Sequence, residues 1–288
     1  MNAFQLPDDT RVSQVHLRTG NLDRAVAFYR DVLGLKVVGD KNGIVALSAS
    51  GQLPALVVLT EDRKAKPRPQ RATGLFHLAI RYPSRRELAH ASHRLARHQH
   101  PIQGASDHIV SEAIYLADAD GNGVELYVDR PKAQWIWRNG QVTMATEPLD
   151  IDSLLAAGEG RDDPPSPQTD LGHIHLHVAD LAAAEKFFHG FIGLAVTQRS
   201  YPGALFMSAG GYHHHVAVNT WAGRTPAAPD SVGLISYRLE VPEKENLRQL
   251  RDRALEVGFE TKTATSENGT ELLQIRDPNG NWLEVEGR

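Results

Sequence analysis

The stretch LGHIHLHVAD, Leu171–Asp180, sets His173, His175 and His177 at every second position. A β-strand turns alternate side chains to opposite faces, so this spacing aims three imidazoles the same way. A single strand histidine is more often packed or solvated than bound to a metal. What the row faces therefore decides its meaning, and the remainder of the chain answers through a repeat.

VHLRTGNLDRAVAFYRDVLGL (15–35) aligns without gaps to IHLHVADLAAAEKFFHGFIGL (174–194) at an offset of 159, with 7 of 21 positions identical. LADADGNGVE (116–125) and IRDPNGNWLE (275–284) align at the same offset. One shift that fits two distant segments indicates a duplicated chain. Each half divides again, because Gln14 to His77 and His173 to Ser236 are both 63 residues apart. Four modules are expected, 8–62, 73–130, 169–222 and 231–288. They group into a first half (1–130), a linker (131–168) and a second half (169–288).

Each module reads as βαβββ, which makes the fold class α+β. NLDRAVAFYRDVLG (21–34) has helical apolar periodicity, with Asn21 suited to cap its start and Gly34 to end it in a left-handed turn. IVALSAS (44–50) and PALVVLTE (54–61) read as strands, and DADGNG and DPNGN as tight turns leading into short strands that end in Glu125 and Glu284. In the linker, DIDSLLAAG suits a short helix. GEGRDDPPSPQTD is expected not to pack, being rich in Pro, Gly and charge.

The composition is that of a globular chain: 288 residues, 41% hydrophobic and 23% charged, with a formal charge of -4. Acidic and basic residues are interspersed, so neither a nucleic acid nor an anionic membrane is an expected partner. The absence of cysteine excludes disulfides and thiolate-bound zinc. No apolar run has the length of a membrane span, and MNAFQLPDDT lacks the features of a secretory leader; a cytoplasmic protein is the expectation.

The offset superimposes His173 on Gln14, His77 on Ser236, and Glu125 on Glu284. Two histidines and one carboxylate form the facial set of non-haem Fe(II) enzymes, which leaves adjacent coordination positions open. Only modules 2 and 3 together supply such a set: His77, Glu125 and His173. They are expected to face each other, with modules 1 and 4 forming a metal-free partner barrel in which Glu284 is an orphan.

LGHIHLHVADLAAAEKFF…IGL, TGLFHLAI and DHIVSEAIYLADADGNGVELY resemble the vicinal oxygen chelate superfamily, and within it extradiol ring-cleaving enzymes of the catechol 2,3-dioxygenase type. The likeness extends from about Val12 to Glu286 and includes SAGGYHHHVAVNTWAG (208–223). It implies βαβββ modules paired into two open barrels, with His77, His173 and Glu125 holding Fe(II); Mn(II) is the other ion considered. It further implies Tyr115 as a substrate-binding tyrosine, His214 as acid/base with His215 in competition, and His108 as a further acid. The implied partners are a small aromatic diol and O2. Better-known members place the site between modules 3 and 4, where Ser236 interrupts it here; pairing modules 2 and 3 repairs it.

His175 is expected to be structural, since His16 repeats it in the other half. His90, His93, His98 and His100 read as a solvated helix face. Two competing functions stand beside the dioxygenase. One is a glyoxalase-like isomerase or lyase, which needs a fourth protein ligand, for which His215 is the candidate. The other is a metal-free small-molecule binder. A homo-oligomer is left open.

Overall fold

The apolar runs assemble into two large sheets in the computed structural model, which describes residues 4–288. One sheet has nine strands, in the order Glu147–Pro148, Ile102–Asp107, Ser111–Ala117, Gly123–Asp129, Gly74–Tyr82, Asp170–His177, Val216–Asn219, Ala204–Ser208 and Ala195–Gln198. The other has eight: Thr261–Thr265, Glu271–Arg276, Trp282–Gly287, Gly233–Val241, Arg11–Thr19, Val57–Glu61, Ile44–Ser48 and Lys36–Lys41. The nine-stranded sheet thus joins the strands of 74–129 to those of 170–219, and the eight-stranded sheet joins the chain's two ends.

Each join is an antiparallel pair. Asp170–His177 lies beside Gly74–Tyr82, with His173 opposite Ala79 and His175 opposite His77. The register slips between Leu171 and His173 and again between His175 and Leu176. Arg11–Thr19 lies beside Gly233–Val241, with Gln14 opposite Arg238 and His16 opposite Ser236. There the slips fall between Val12 and Gln14 and between His16 and Leu17. Adding 159 to the numbers of one strand and subtracting it from its partner's turns the second join into the first, irregularities included. Since a one-residue slip would turn every side chain over, the two joins present the same positions to the same faces.

The joins differ in what fills them. Ala79 lies beside Glu125 in one sheet, and Arg238 beside Glu284 in the other. The Arg238 side chain, 4% exposed, reaches Glu284, Glu267 and Glu286 at 3.1, 3.2 and 3.1 Å. The Ser236 hydroxyl also donates to Glu284, at 2.9 Å. Glu284 is therefore not the orphan expected from the sequence: a guanidinium supplies its counter-charge.

Tight turns and caps follow the local sequence. The Asn21 side chain accepts from the Arg24 N–H, and Asp180 accepts from Ala183. Both helices widen midway into π geometry, over Phe28–Val32 and Lys186–Ile192, where a regular helix was expected. The widening accompanies burial of the adjacent aromatic pairs Phe28/Tyr29 and Phe187/Phe188. Two glycines near the join make room for close neighbours: a Cβ on Gly123 would sit 2.0 Å from the Phe76 backbone carbonyl oxygen, and one on Gly172 would sit 1.6 Å from the Tyr127 side-chain hydroxyl.

The segment 131–168 is more structured than its composition suggested. Ile151–Ala157 is helical, with Asp150 as its cap, and Leu154 is buried. Glu147–Pro148 adds an edge strand to the nine-stranded sheet. Asp163 and Asp162 meet Arg94 and Arg97 of the helix Arg85–Arg97. The expectation of a solvated histidine face holds for His98, which is exposed, but not for the others. His90 is buried against Asp163, the His93 ring meets the Leu155 carbonyl at 3.1 Å, and His100 meets Ala117 at 3.0 Å.

Removing the Arg238 cation should leave buried carboxylates without counter-charge. Arg238→Leu is expected to cost about 3–5 kcal/mol, because stranding one side of a buried pair is far more costly than replacing both. Equilibrium denaturation would read this, and wild-type stability in the variant would refute it.

Candidate metal centre and pocket

His77, Glu125 and His173 come together at the join of the nine-stranded sheet. His77 Nε2 lies 2.9 Å and His173 Nε2 3.1 Å from Glu125 Oε2, and the two nitrogens are 3.3 Å apart. All three residues are buried. Ligands about 2.1 Å from one ion lie about 3.0 Å apart at right angles and about 3.4 Å apart at tetrahedral angles. The observed separations suit three cis positions around one ion, which is the facial arrangement. Among the described residues this is the cluster of His, Asp, Glu and Cys side chains whose donor atoms converge closely enough to hold a metal.

The electrostatics favour a dication. Burial pushes the Glu125 carboxyl up, but the facing His173 and His77 outweigh it and hold the group well below the usual carboxylate range. Burial pushes His173 down to about 4, against the pull of Glu125. A neutral imidazole and an ionised carboxylate are the forms a metal requires. The Nδ1 atoms of His77 and His173 have no hydrogen-bond partner. Packing orients the rings instead: His173 lies 4.1 Å from His214 and 5.0 Å from Tyr127, and His77 lies 4.9 Å from Phe76, between ring centroids.

Above the cluster opens a cavity of about 230 Å³. Ligand pockets usually run to about 300–1,000 Å³, so this one suits a molecule of about one ring. Phe76, Phe206, Tyr201 and Trp221 form aromatic walls, and His77 and Glu125 reach its floor. Tyr115, His108 and His214 also line it. Tyr115 pairs with Glu125 across adjacent strands. Burial, followed by the Glu125 charge, raises its phenol well above 10, so it carries its proton. His108 Nδ1 meets the Ala145 carbonyl at 2.7 Å and must donate there, so its Nε2 accepts from the Tyr115 hydroxyl at 2.6 Å.

His213, His214 and His215 lie in the turn before Val216–Asn219, not in a strand, so strand alternation does not apply to them. His214 faces the cavity. His215 does not: its ring stacks on Tyr212, and its Nδ1 accepts from the Ala209 N–H at 3.2 Å. It stands outside the ligand cluster. His175 lines the cavity but is held by the Asn219 amide at 2.9 Å, and the same Asn219 accepts from His177 at 2.7 Å.

Several lining residues were missed. Met144, Ala145 and Thr146 come from the segment read as a linker, and Thr146 bonds the Tyr201 hydroxyl at 2.8 Å. Phe76 was legible as the neighbour of His77, but alternation would have sent it to the opposite face.

No helix among the described residues is long and apolar enough to cross a membrane. The sequence profile of the Glyoxalase/Bleomycin resistance protein/Dioxygenase superfamily matches residues 11–126 and 170–285. A protein of Bacillus subtilis (strain 168) named catechol-2,3-dioxygenase is 39% identical over 278 residues, covering 94% of this chain and 95% of its own. Two solved structures share the fold. One, from Bacillus subtilis subsp. subtilis str. 168, has a TM-score of 0.71 at 12% identity and covers 99% of this chain and 86% of its own. The other, glyoxalase I from Zea mays, has a TM-score of 0.60 at 15% identity and covers 97% and 92%. With the fold, the site and both halves of the sequence in agreement, the chain belongs to the Glyoxalase/Bleomycin resistance protein/Dioxygenase superfamily.

Proposed function

We propose that this protein is an extradiol dioxygenase. It inserts O2 into a catechol-type aromatic diol, using Fe(II) held by His77, Glu125 and His173. The observation that carries the reading is the convergence of these three buried donors, two of which, His77 and Glu125, reach the floor of an aromatic-walled cavity of single-ring size. The relative named catechol-2,3-dioxygenase supports it. A glyoxalase-like reaction is less well supported, because His215, the candidate fourth ligand, is turned away from the cluster.

When bound, the metal supplies Lewis acidity toward the diol and brings diol and O2 together. The chain's own residues do the rest. Phe76, Phe206 and Trp221 exclude water and sandwich the ring. His214, lining the cavity beside His173, accepts a proton from the diol. Tyr115 keeps its proton, donates it to His108 Nε2, and leaves its oxygen to accept from a substrate hydroxyl. His108, held by Ala145, accepts from the Tyr115 hydroxyl at Nε2 and so fixes the direction in which that oxygen faces the cavity.

Protein reconstituted anaerobically with Fe(II) is expected to turn catechol yellow on admission of air, with one O2 consumed per diol; Mn(II) is the control arm. His173→Ala should abolish both stoichiometric iron binding and turnover. Iron-loaded protein that is inert towards catechol, or a fully active His173→Ala, would overturn the proposal.

His214→Phe is expected to keep its iron while kcat falls about 10²–10⁴-fold, the usual contribution of a positioned acid/base. An unchanged kcat would remove His214 from the chemistry.

The buried histidines also set a pH dependence. His173 is pushed down to about 4 and His215 to about 3, and burial lowers His175 and His214 as well. In the unfolded chain each takes up its proton near about 6.5. Between these values the unfolded state binds more protons, so stability falls as pH falls and is fully present above about 6.5. Scans of the metal-free protein should show Tm dropping steeply from about pH 6.5 to about pH 4. A flat profile across that window would contradict the neutral, buried state of these rings.

A further inference from the structure

Behind the cavity, His214 is tied to a chain of polar groups. Its Nδ1 lies 2.7 Å from His213 Nδ1, and His213 Nε2 lies 2.9 Å from Asp129 Oδ1. The carboxylate is heavily supplied with donors. Arg81 Nη1 donates to it at 3.1 Å and the Tyr212 hydroxyl at 3.0 Å, while the Tyr127 hydroxyl stands 2.6 Å behind Tyr212. Arg81 is itself fixed by Asp170 at 2.7 Å. His213 is fully buried.

Donor and acceptor counting then proceeds inwards. An ionised carboxylate only accepts, so His213 must donate from Nε2. In a neutral ring its Nδ1 is then bare and can only accept. Two bare nitrogens 2.7 Å apart would repel, so the proton between the rings belongs to His214 Nδ1. That leaves His214 Nε2 without a proton. We infer that Asp129 and His213 are positioning residues that fix the His214 ring in its Nδ1–H form, with Nε2 presented bare to whatever occupies the cavity.

The duplicated chain provides a control. Subtracting 159 from 213 and 214 leads to Pro54 and Ala55, and adding 159 to 129 leads to Arg288. The eight-stranded sheet has the same join, yet lacks all three members of the chain. The ionic part recurs there with its charges reversed, since Arg288 and Arg11 meet Glu240 where Asp129 and Asp170 meet Arg81. The two histidines accompany only the half that carries His77, Glu125 and His173.

The inference bears on the acid/base role proposed above, but its test does not depend on turnover. In metal-free protein labelled with ¹⁵N-histidine, long-range ¹H–¹⁵N correlation distinguishes the two neutral ring forms and the cation. The His214 signals are assigned by their loss in His214→Phe. Wild-type protein at neutral pH is expected to show His214 protonated at Nδ1 and bare at Nε2. The Nε2–H form, or a charged ring, would overturn the inference.

Asp129→Asn provides the second arm. With Arg81 and Tyr212 holding its carbonyl, the amide would donate to His213 Nε2 and reverse both rings. His214 should change form, and kcat should fall at least about a hundredfold at unchanged KM and iron content. Asp129→Glu should restore much of the rate. A wild-type kcat in folded, iron-loaded Asp129→Asn would also overturn the inference. Wild-type iron protein inert towards catechol would instead count against the proposed function alone, leaving the ring assignment to the spectra.

Discussion

The antiparallel contact between Gly74–Tyr82 and Asp170–His177 is the constraint on which the site depends. His77 and His173 are 96 residues apart, and no local element could bring them together. The pairing does so by setting His175 opposite His77 and His173 opposite Ala79. Glu125 is then delivered by the next strand, parallel to Gly74–Tyr82 and in register with Ala79. Three side chains from three strands meet over one small residue. Ala79, fully buried, leaves the space above the sheet that a larger side chain would occupy.

The same join built a second time shows how narrow the difference is between a metal cluster and a structural ion pair. At Arg238 the cation is covalently part of the chain, and its carboxylates close around it. At Ala79 there is no internal cation, and the carboxylate faces two imidazoles, of which burial pushes His173 down to about 4. Glu125 therefore has hydrogen-bond partners but no permanent counter-ion. An apolar environment makes that an unfavourable state for a carboxylate by itself and a favourable one for binding a dication. The eight-stranded sheet carries its own counter-charge in Arg238, whereas the nine-stranded sheet has a place for an exogenous one.

Much of this was legible because a duplication carries its own alignment. The offset of 159 picked out His77, Glu125 and His173 without any structural information, and the cap at Asn21 followed from its side chain. What escaped was whatever depends on contacts between distant segments. Pro, Gly and charge in 158–170 suggested an unpacked stretch, yet its aspartates meet the arginines of a helix about 70 residues earlier. His90 looked solvated for the same reason: the covering segment could not be placed. The YHHH run could not be resolved by alternation, because it forms a turn. There each ring is aimed by its partner, His213 by Asp129, His214 by His213 and His215 by the Ala209 N–H.

The formerly linker-like segment also explains why the cavity has a roof on one side. Glu147–Pro148 pairs with Ser106 and Asp107, which draws Met144–Thr146 across the strands that carry Tyr115 and His108. The Ala145 carbonyl then fixes the ring of His108, and Thr146 fixes Tyr201 on the opposite wall. A backbone carbonyl is a strong, obligatory acceptor that cannot rotate away, so it sets a tautomer more firmly than a mobile side chain would. The cavity is thus flanked by two histidines whose ring forms are set from behind, His108 by a carbonyl and His214 through a buried carboxylate. Both leave Nε2 as the acceptor, one towards the Tyr115 hydroxyl and one towards the open space over the ligand cluster. With both ring forms held from behind, neither side chain has to reorient to accept at Nε2.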